Sequence, residues 1–268
     1  MNAKLSQAFL IFTIFVLIAT VVWLVYPSPY RVCHFVVTGL GRAHLYPQTA
    51  KFKPYKGKTM GGAALMASVI KEEIASFTAK DEPYCFVSLG AELSGTAEAF
   101  LTKGEAVAKV FNAMKLDAML VGNIDFSFGK ERLAEIAKAN SFKLLSSNVT
   151  NTADGKTPDY FSDEILLDAP NDLKIGLLGI SPVNTPNLAA KENVEGLSFA
   201  EPDLILKKRV DSLRAKGADV VALLTQYNKE YITADEWKVI ASASPDICFM
   251  LDTDMEAPSP FAKDGVIV

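Results

Sequence analysis

The sequence predicts an α/β fold, and two features of the chain support this prediction. Short apolar runs alternate with amphipathic segments of helical period from residue 31 almost to the end, which is typical of sheets covered by helices. Polar loops containing Gly, Asn, Asp and Ser follow most of the apolar runs, as expected where strands end. With 268 residues, the chain is long enough for one large domain of this kind.

The first half of the series begins with a predicted strand, Arg31 to Thr38, followed by a loop from Gly39 to Lys58. In the next two helices, apolar residues recur at a spacing that would bury one stripe of each helix. The predicted elements of this half are the helix Gly61 to Thr78, the strand Tyr84 to Leu89, the helix Gly104 to Met114, the strand Ala118 to Val121, the helix Gly129 to Asn140 and the strand Lys143 to Ser147.

The second half opens with turns and a predicted hairpin between Asn151 and Asp172. Strands and helices then alternate again, and Gly217 ends one of the helices. The predicted elements are the strand Leu173 to Ile180, the helix Asp203 to Lys216, the strand Ala218 to Leu224, the helix Thr233 to Ser244 and the strand Ile247 to Leu251. The last four residues, Gly265 to Val268, resemble the start of a further strand.

The N-terminus predicts a membrane anchor. Ala8 to Tyr26 contains no charged residue and is dominated by Leu, Ile, Val and Phe, which is long enough to cross a bilayer as a helix. A cleaved signal peptide is the rival interpretation, but its apolar core is normally shorter and precedes a small-x-small cleavage site. We therefore expect a transmembrane anchor in residues 1–29 and a separate domain in residues 30–268. Lys4 before the span favours the bulk of the chain outside the cytoplasm, although Arg31 on the far side weakens this assignment.

Charge and composition exclude some classes of function. A net charge of −4 and a pI near 5.4 give no broad cationic surface, so nucleic acid is not an expected partner. The chain has only two histidines, His34 and His44. A metal site built on several imidazole ligands cannot be assembled from two.

The stretch from Val121 to Gly129, with the sequence VGNIDFSFG, closes an apolar strand and opens a helix. In open α/β sheets, ligands bind in the crevice outside the carboxyl ends of the strands, and this turn lies at such an end. The turn resembles the Gly-Asn-His-Glu-x-Asp turn of the 5'-nucleotidase group of binuclear metallophosphoesterases. Ile124 stands where that family has its catalytic histidine.

Other loops extend the resemblance in the same order along the chain, over roughly residues 32–254. One such motif is weak, whereas six in order are moderately specific. The similar segments are Thr38 to Pro47 for the family's T-N-D-x-H-G-R, Met60 to Ala64 for its glycine-pair helix start, Gly90 to Thr96 for G-D-x-x-x-G-T, Leu145 to Val149 for L-S-A-N-V, Leu224 to Gln226 for L-S-H, and Leu251 to Asp254 for G-H-T-H. The resemblance implies a layered sandwich in which helices flank two mixed β-sheets.

The departures from the family's pattern fall at its metal-facing positions. A binuclear site needs carboxylates and neutral imidazoles to hold two cations and to generate a hydroxide. Leu40, Arg42, Ala91 and Ile124 occupy four of these positions, and none of the four can act as a ligand. Of the metal-facing positions, only Asn123 matches. The resemblance therefore implies a degenerate site without catalysis, and we predict no catalytic residue, metal or cofactor.

A rebuilt metal site is the alternative. Weak candidates for its ligands are Asp125, Asp252, Asp254, Glu92 and His44, which lie in or beside the crevice loops. Carboxylates suit Ca²⁺ or Mg²⁺, but no spacing specifies a coordination shell, and solvated loop acids or helix N-caps explain the same residues.

Taken together, the sequence predicts a single-pass membrane protein whose 5'-nucleotidase-like domain lies outside the cytoplasm, in the periplasm if the source is bacterial. We expect a structural or interaction subunit of a membrane-associated assembly, with the membrane and other proteins as partners. The alternative function is a metal-dependent phosphohydrolase acting on nucleotide phosphomonoesters or diesters. The chain lacks a counterpart of the further strands and second domain that usually follow in this family, so we expect a reduced or truncated domain.

Overall fold

The computed structural model describes residues 31–51, 53–228, 232–251 and 260–268. The predicted membrane span, Ala8 to Tyr26, lies outside these residues, as do Asp252 and Asp254. Among the described residues, no helix has both the length and the apolar character needed to cross a bilayer. The chain divides into two compact units, Met1–Cys33 and His34–Val268, and the fold below is that of the second.

Strands and helices alternate through this unit. The strands are β1 (His34–Thr38), β2 (Gln48–Thr49), β3 (Thr59–Met60), β4 (Tyr84–Ser88), β5 (Ala118–Leu120), β6 (Lys143–Leu145), β7 (Val149–Asn151), β8 (Ile165–Ala169), β9 (Leu173–Ile180), β10 (Leu197–Phe199), β11 (Val220–Asn228), β12 (Ile247–Leu251), β13 (Ala262–Lys263) and β14 (Val266–Ile267). The helices are α1 (Ala63–Thr78), α2 (Ala97–Thr102), α3 (Glu105–Ala113), α4 (Lys130–Ala139), α5 (Thr185–Leu188), α6 (Lys191–Val194), α7 (Leu206–Ala215) and α8 (Ala234–Ala243), with 3₁₀ turns at Asn123–Phe128 and Pro202–Leu204.

Two main sheets organise the fold. The first has the order β1-β4-β5-β6 and is parallel throughout. The second has the order β13-β14-β12-β11-β9-β8 and is mixed, because β8 and β13 pair antiparallel with their neighbours. The prediction of two mixed sheets is therefore correct only for the second sheet. The first is parallel because a helix connects each of its strands to the next, which returns the chain to the same edge.

Helices cover the outer face of each sheet, and the inner faces pack together. Phe86 and Met119 of the first sheet lie in a core that includes residues of α3 and α4. A second core joins the other sheet to α7 and α8. Between the sheets, a Cβ on Gly179 would come within 2.9 Å of both Leu120 and Leu145, so this glycine in β9 permits close packing.

The order of the main strands and helices confirms the sequence prediction. Helix α8 begins where Thr233 predicts, because the Thr233 hydroxyl accepts from the backbone N–H of Glu236 and the Glu236 carboxylate accepts from the backbone N–H of Thr233 (2.8 Å). The predicted final strand is part of the β13–β14 hairpin, and β14 adds to β12. Helix α7 begins later than predicted, since Pro202–Leu204 forms a 3₁₀ turn.

Some elements differ from those predicted, either because a strand pairs with residues far away in sequence or because the element is very short. Strand β11 continues to Asn228, four residues beyond its predicted end, where it pairs with Leu251 of β12 after a register shift. The pairs β2–β3 and β7–β10 and the short helices α2, α5 and α6 were not predicted. They contain only two to six residues, too few for a periodic pattern to develop.

Candidate functional site

The crevice lies at the carboxyl ends of the parallel strands, where the sequence motifs predicted it. The loop after β1 and the loop after β4 are joined directly by backbone hydrogen bonds: Leu40 N–H donates to Gly90 O and Arg42 N–H donates to Ala91 O, each at 3.0 Å. Leu40, Arg42 and Ala91 have positive φ angles of 56°, 44° and 58°. This conformation is uncommon for residues with a Cβ, so the pairing of the two loops holds a strained backbone in place.

Asp125 is the most heavily bonded side chain of the crevice. It is 1% exposed, and its carboxylate accepts four backbone N–H groups: those of Ala91 and Gly122 at 2.8 Å and those of Glu92 and Leu93 at 2.9 Å. Burial raises the pKa of the Asp125 carboxyl, whereas the four donors lower it. Both oxygens are occupied in holding the loop after β4 to the turn after β5, so the structure gives Asp125 a role in shaping the crevice.

Gln226 comes from the other sheet and fills the space between these loops. It lies near the end of β11, and its Nε2 donates to Leu89 O at 2.8 Å. A Cβ on Gly122 would lie 2.1 Å from this Nε2, and a Cβ on Gly90 would lie 2.9 Å from it. The two glycines therefore allow the Gln226 amide to approach the backbone of both crevice loops. The first and second sheets are tied together here by a side chain.

A buried polar network continues from this point along the junction of the sheets. The Ser181 hydroxyl donates to Val121 O at 2.6 Å and lies 2.8 Å from the Ser146 hydroxyl. Asn148 accepts from Ser181 N–H and donates to Ser181 O, both at 2.9 Å. Because Asn148 is 1% exposed, its place in the sequon Asn148-Val149-Thr150 does not make it an accessible glycosylation site in this fold.

Glu92 and His44 lie beside a different space. Both line a cavity of about 550 Å³ on the α1 and α3 side of the first sheet, together with mostly apolar side chains. The Ser88 hydroxyl donates to Glu92 at 2.9 Å. Burial raises the pKa of Glu92 to about 7. His44 is exposed, and its Nδ1 lies 3.1 Å from Gly41 O.

The structure describes three of the five candidates for a rebuilt metal site. Glu92 and His44 line one cavity, Asp125 is enclosed by backbone donors, and Asp252 and Asp254 lie outside the described residues. In the described ranges, no group of three or more His, Cys, Asp or Glu side chains is arranged to hold a metal ion.

The described residues at the family's metal-facing positions also do not fit a pair of cations; Asp252 and Asp254, in the place of its G-H-T-H segment, lie outside the described residues. Leu40, Arg42, Ala91 and Ile124 supply no ligand atom, and the Gln226 amide nitrogen donates to a carbonyl. Asn123, half-buried at the start of the 3₁₀ turn, is the remaining candidate in this part of the crevice. One amide oxygen is far fewer than the four or more ligands that protein-bound cations take.

Solved structures define the class of fold. The chain superposes on sulfate thiohydrolase SoxB of Thermus thermophilus with a TM-score of 0.76, at 18% identity, over 90% of this chain and 52% of that one. It superposes on the calcineurin-like phosphoesterase YfkN of Bacillus subtilis with a TM-score of 0.64, at 19% identity, over 81% of this chain and 70% of that one. The protein has the α/β fold of the metallophosphoesterases.

The sequence relatives are nucleotide phosphoesterases and 5'-nucleotidases, a narrower group than the fold class. The chain is 29% identical to the trifunctional nucleotide phosphoesterase YfkN of Bacillus subtilis over 132 residues, 46% of this chain and 9% of that protein. It is 28% identical to a 5'-nucleotidase of Diplobatis ommata over 156 residues, 54% of this chain and 26% of that protein. No family model matches the sequence. Sequence and structural neighbours together point to the 5'-nucleotidase and calcineurin-like metallophosphoesterase family.

The aligned regions are short relative to these relatives, about a quarter of the nucleotidase and less than a tenth of YfkN. The resemblance that the sequence motifs predicted is thus confirmed by these neighbours. Gln226 and Asn148 stand in two of the segments that resemble the family, but no role was predicted for either, and Ser181 was not singled out. The available signal was a polar residue at the end of a buried apolar run. Ser181 directly follows such a run, whereas Gln226 follows its run after one further polar residue and Asn148 after two.

Proposed function

We propose that the protein is a membrane-anchored, extracytoplasmic 5'-nucleotidase-like domain that has lost phosphoesterase catalysis and serves as a structural or interaction subunit of a membrane-associated assembly. The observation that carries the loss of catalysis is the position of Gln226. Its amide lies against Gly90 and Gly122 and donates to Leu89 O, where the family pattern requires a metal ligand. The crevice is held together by protein hydrogen bonds.

Asp125 supports the same proposal from the other side of the crevice. Its carboxylate accepts hydrogen bonds from four backbone N–H groups. These bonds hold the loops after β4 and β5 together without the need for a bound cation. Because each of these four N–H groups has an acceptor, burying them in the crevice carries no penalty for an unmade hydrogen bond. The fold can thus persist after its metal ligands are lost.

The test is an activity assay of the full chain. We expect no turnover of nucleoside monophosphates or bis(p-nitrophenyl) phosphate with Mn²⁺, Zn²⁺ or Mg²⁺, beside a positive control of Bacillus subtilis YfkN. Turnover that Asn123→Ala abolishes would overturn the proposal, because it would assign chemistry to the crevice itself.

The alternative, a phosphohydrolase with a rebuilt metal site, draws support from the names of the curated relatives, which are nucleotidases and phosphoesterases. It predicts stoichiometric metal by elemental analysis of the protein purified without chelator. It also predicts a rise in melting temperature at millimolar Ca²⁺, Mn²⁺ or Zn²⁺. The main proposal predicts neither.

The membrane and assembly parts of the proposal are tested separately. Resistance to alkaline carbonate extraction, lost on deletion of residues 8–26, supports the anchor. Protease digestion in intact spheroplasts places the domain outside the cytoplasm if the domain is cleaved. Native mass spectrometry of the protein extracted in mild detergent tests the assembly, and a free monomer alone would contradict it.

A further inference from the structure

The charge of the chain is distributed very unevenly. Residues 1–71 contain eight Lys or Arg and no Asp or Glu, whereas all 31 acidic residues follow residue 71. The first segment therefore has a formal side-chain charge of +8 and the remainder −12. A net charge of −4 conceals this separation.

Half of the basic residues of that segment lie in one hairpin. We define the basic hairpin as residues 48–60, of which all but residue 52 are described. Strands β2 and β3 pair antiparallel at its base, and Ala50 N–H donates to Lys58 O at 2.9 Å while Gly57 N–H donates to Ala50 O at 2.8 Å. These bonds close the loop that carries the lysines, Lys51, Lys53, Lys56 and Lys58.

The hairpin presents its side chains to solvent. All of its described residues are exposed except Ala50. Tyr55 lies in the loop with Lys58 Nζ 5.7 Å from its ring centroid, and Tyr46, 64% exposed, precedes the hairpin. Among the described residues, no ion pair involves any of the four lysines. Their charge is thus available to an external anion.

The combination of lysine and tyrosine on an exposed loop fits a bilayer surface. Anionic headgroups attract each nearby lysine, and the attraction is additive over a cluster. Tyrosine prefers the membrane interface, because its ring is apolar and its hydroxyl is polar. A long flexible polyanion would also meet the acidic remainder of the protein and be repelled.

We propose that the basic hairpin lies on the surface of an anionic bilayer, with its four lysines against lipid phosphates and Tyr55 at the headgroup level. The proposal goes beyond the membrane anchor proposed above and rests on different residues. The anchor holds the chain to any bilayer, whereas the hairpin distinguishes anionic from neutral lipid.

The test measures lysine reactivity in the full chain. The protein is reconstituted with vesicles of phosphatidylcholine alone, or with phosphatidylglycerol as a quarter of the lipid, and its lysines are reductively methylated and quantified by mass spectrometry. We expect severalfold slower methylation of the hairpin lysines on the anionic vesicles, reversed by high salt because screening shortens the attraction. Lys208 and Lys238, exposed in α7 and α8, should react equally on both vesicles.

Matched variants separate charge from fold. Replacing all four hairpin lysines by Gln should abolish the preference for anionic vesicles, and replacing them by Arg should retain it. The same number of Lys→Gln changes at Lys109, Lys138, Lys208 and Lys238 is the control for lost charge elsewhere and should leave the preference intact.

Three results would overturn the proposal. They are equal methylation on both vesicles, equal protection by inorganic phosphate in the absence of lipid, and protection that appears only when another membrane protein is added. Failure of the membrane-anchor proposal is recognised separately. In that case alkaline carbonate would extract the protein, while the slower methylation of the hairpin lysines on anionic vesicles would remain.

Discussion

The Asp125 carboxylate accepts a hydrogen bond of 2.9 Å from the backbone N–H of Leu93, which lies 32 residues earlier in the chain. Three further backbone donors converge on the same carboxylate. The loop after β4 therefore takes its shape from a side chain in the turn after β5. This relationship makes the crevice a self-supporting part of the fold.

Replacing Asp125 by Asn should destabilise the protein by about 2–4 kcal/mol, because one acceptor oxygen becomes an NH₂ group facing backbone donors in a buried site. Urea unfolding followed by circular dichroism measures the change. Asp159→Asn is the control, since Asp159 is exposed and should change stability by no more than about 0.5 kcal/mol. Equal effects of the two substitutions would contradict the structural role of Asp125.

Replacing Gln226 by Ala should cost about 1 kcal/mol or more, because Leu89 O loses its donor and the space between the sheets is left partly empty. The same unfolding measurement applies. Gln48→Ala, at an exposed position in β2, serves as the control and should have little effect. If Gln226→Ala leaves stability unchanged, the amide does not hold the two sheets together.

The two glycines beside Gln226 should respond differently to alanine. Gly90 has a φ of 78°, and its Cβ would lie 2.1 Å from the backbone oxygen of Leu120, so Gly90→Ala should cost at least about 2 kcal/mol. At Gly122, φ is −93° and the close atoms are the far end of the Gln226 side chain, which can move. We expect a smaller loss for Gly122→Ala, and a reversed order would contradict this geometry.

Glu92 should make stability depend on pH. Burial raises its pKa from 4.5 to about 7 in the folded protein, so the folded state binds more protons than the unfolded state between these values. The free energy of unfolding should therefore fall as pH rises through this window, by about 3 kcal/mol, and stay level above it. Below pH 4.5 the penalty is absent, because both states are protonated.

The measurement compares wild type with Glu92→Gln by urea unfolding at a series of pH values. The variant cannot titrate at this position, so the stability difference between it and wild type should change between pH 4.5 and about 7. Glu192→Gln, at an exposed site, should follow wild type throughout. A difference that does not vary with pH would show that Glu92 is ionised alike in both states.

Local patterns in the sequence predicted much of the fold. The apolar stripe of α3 and the apolar runs of β4, β5 and β9 lie where the sequence pattern indicated. The stripe predicted for α1 is wrong in part, because Ile70 is buried but Leu65 and Val69 are exposed. The position of the crevice also followed, since Gly122 and Asn123 directly end the apolar run of β5. These features depend on residues close together in the chain, so a short window contains the information that forms them.

The sequence by itself determined the α/β series, the likeness to the 5'-nucleotidase family and the replacement of its metal-facing residues by Leu40, Ala91 and Ile124. Only the tertiary structure decided what the remaining polar residues do. The sequence offered Asp125 as a weak candidate for a metal ligand, and its four backbone partners appear only when the loops after β4 and β5 meet. Gln226 reaches Leu89 across 137 residues and between two sheets. Such contacts follow from how the sheets pack, and packing joins residues that no local pattern connects.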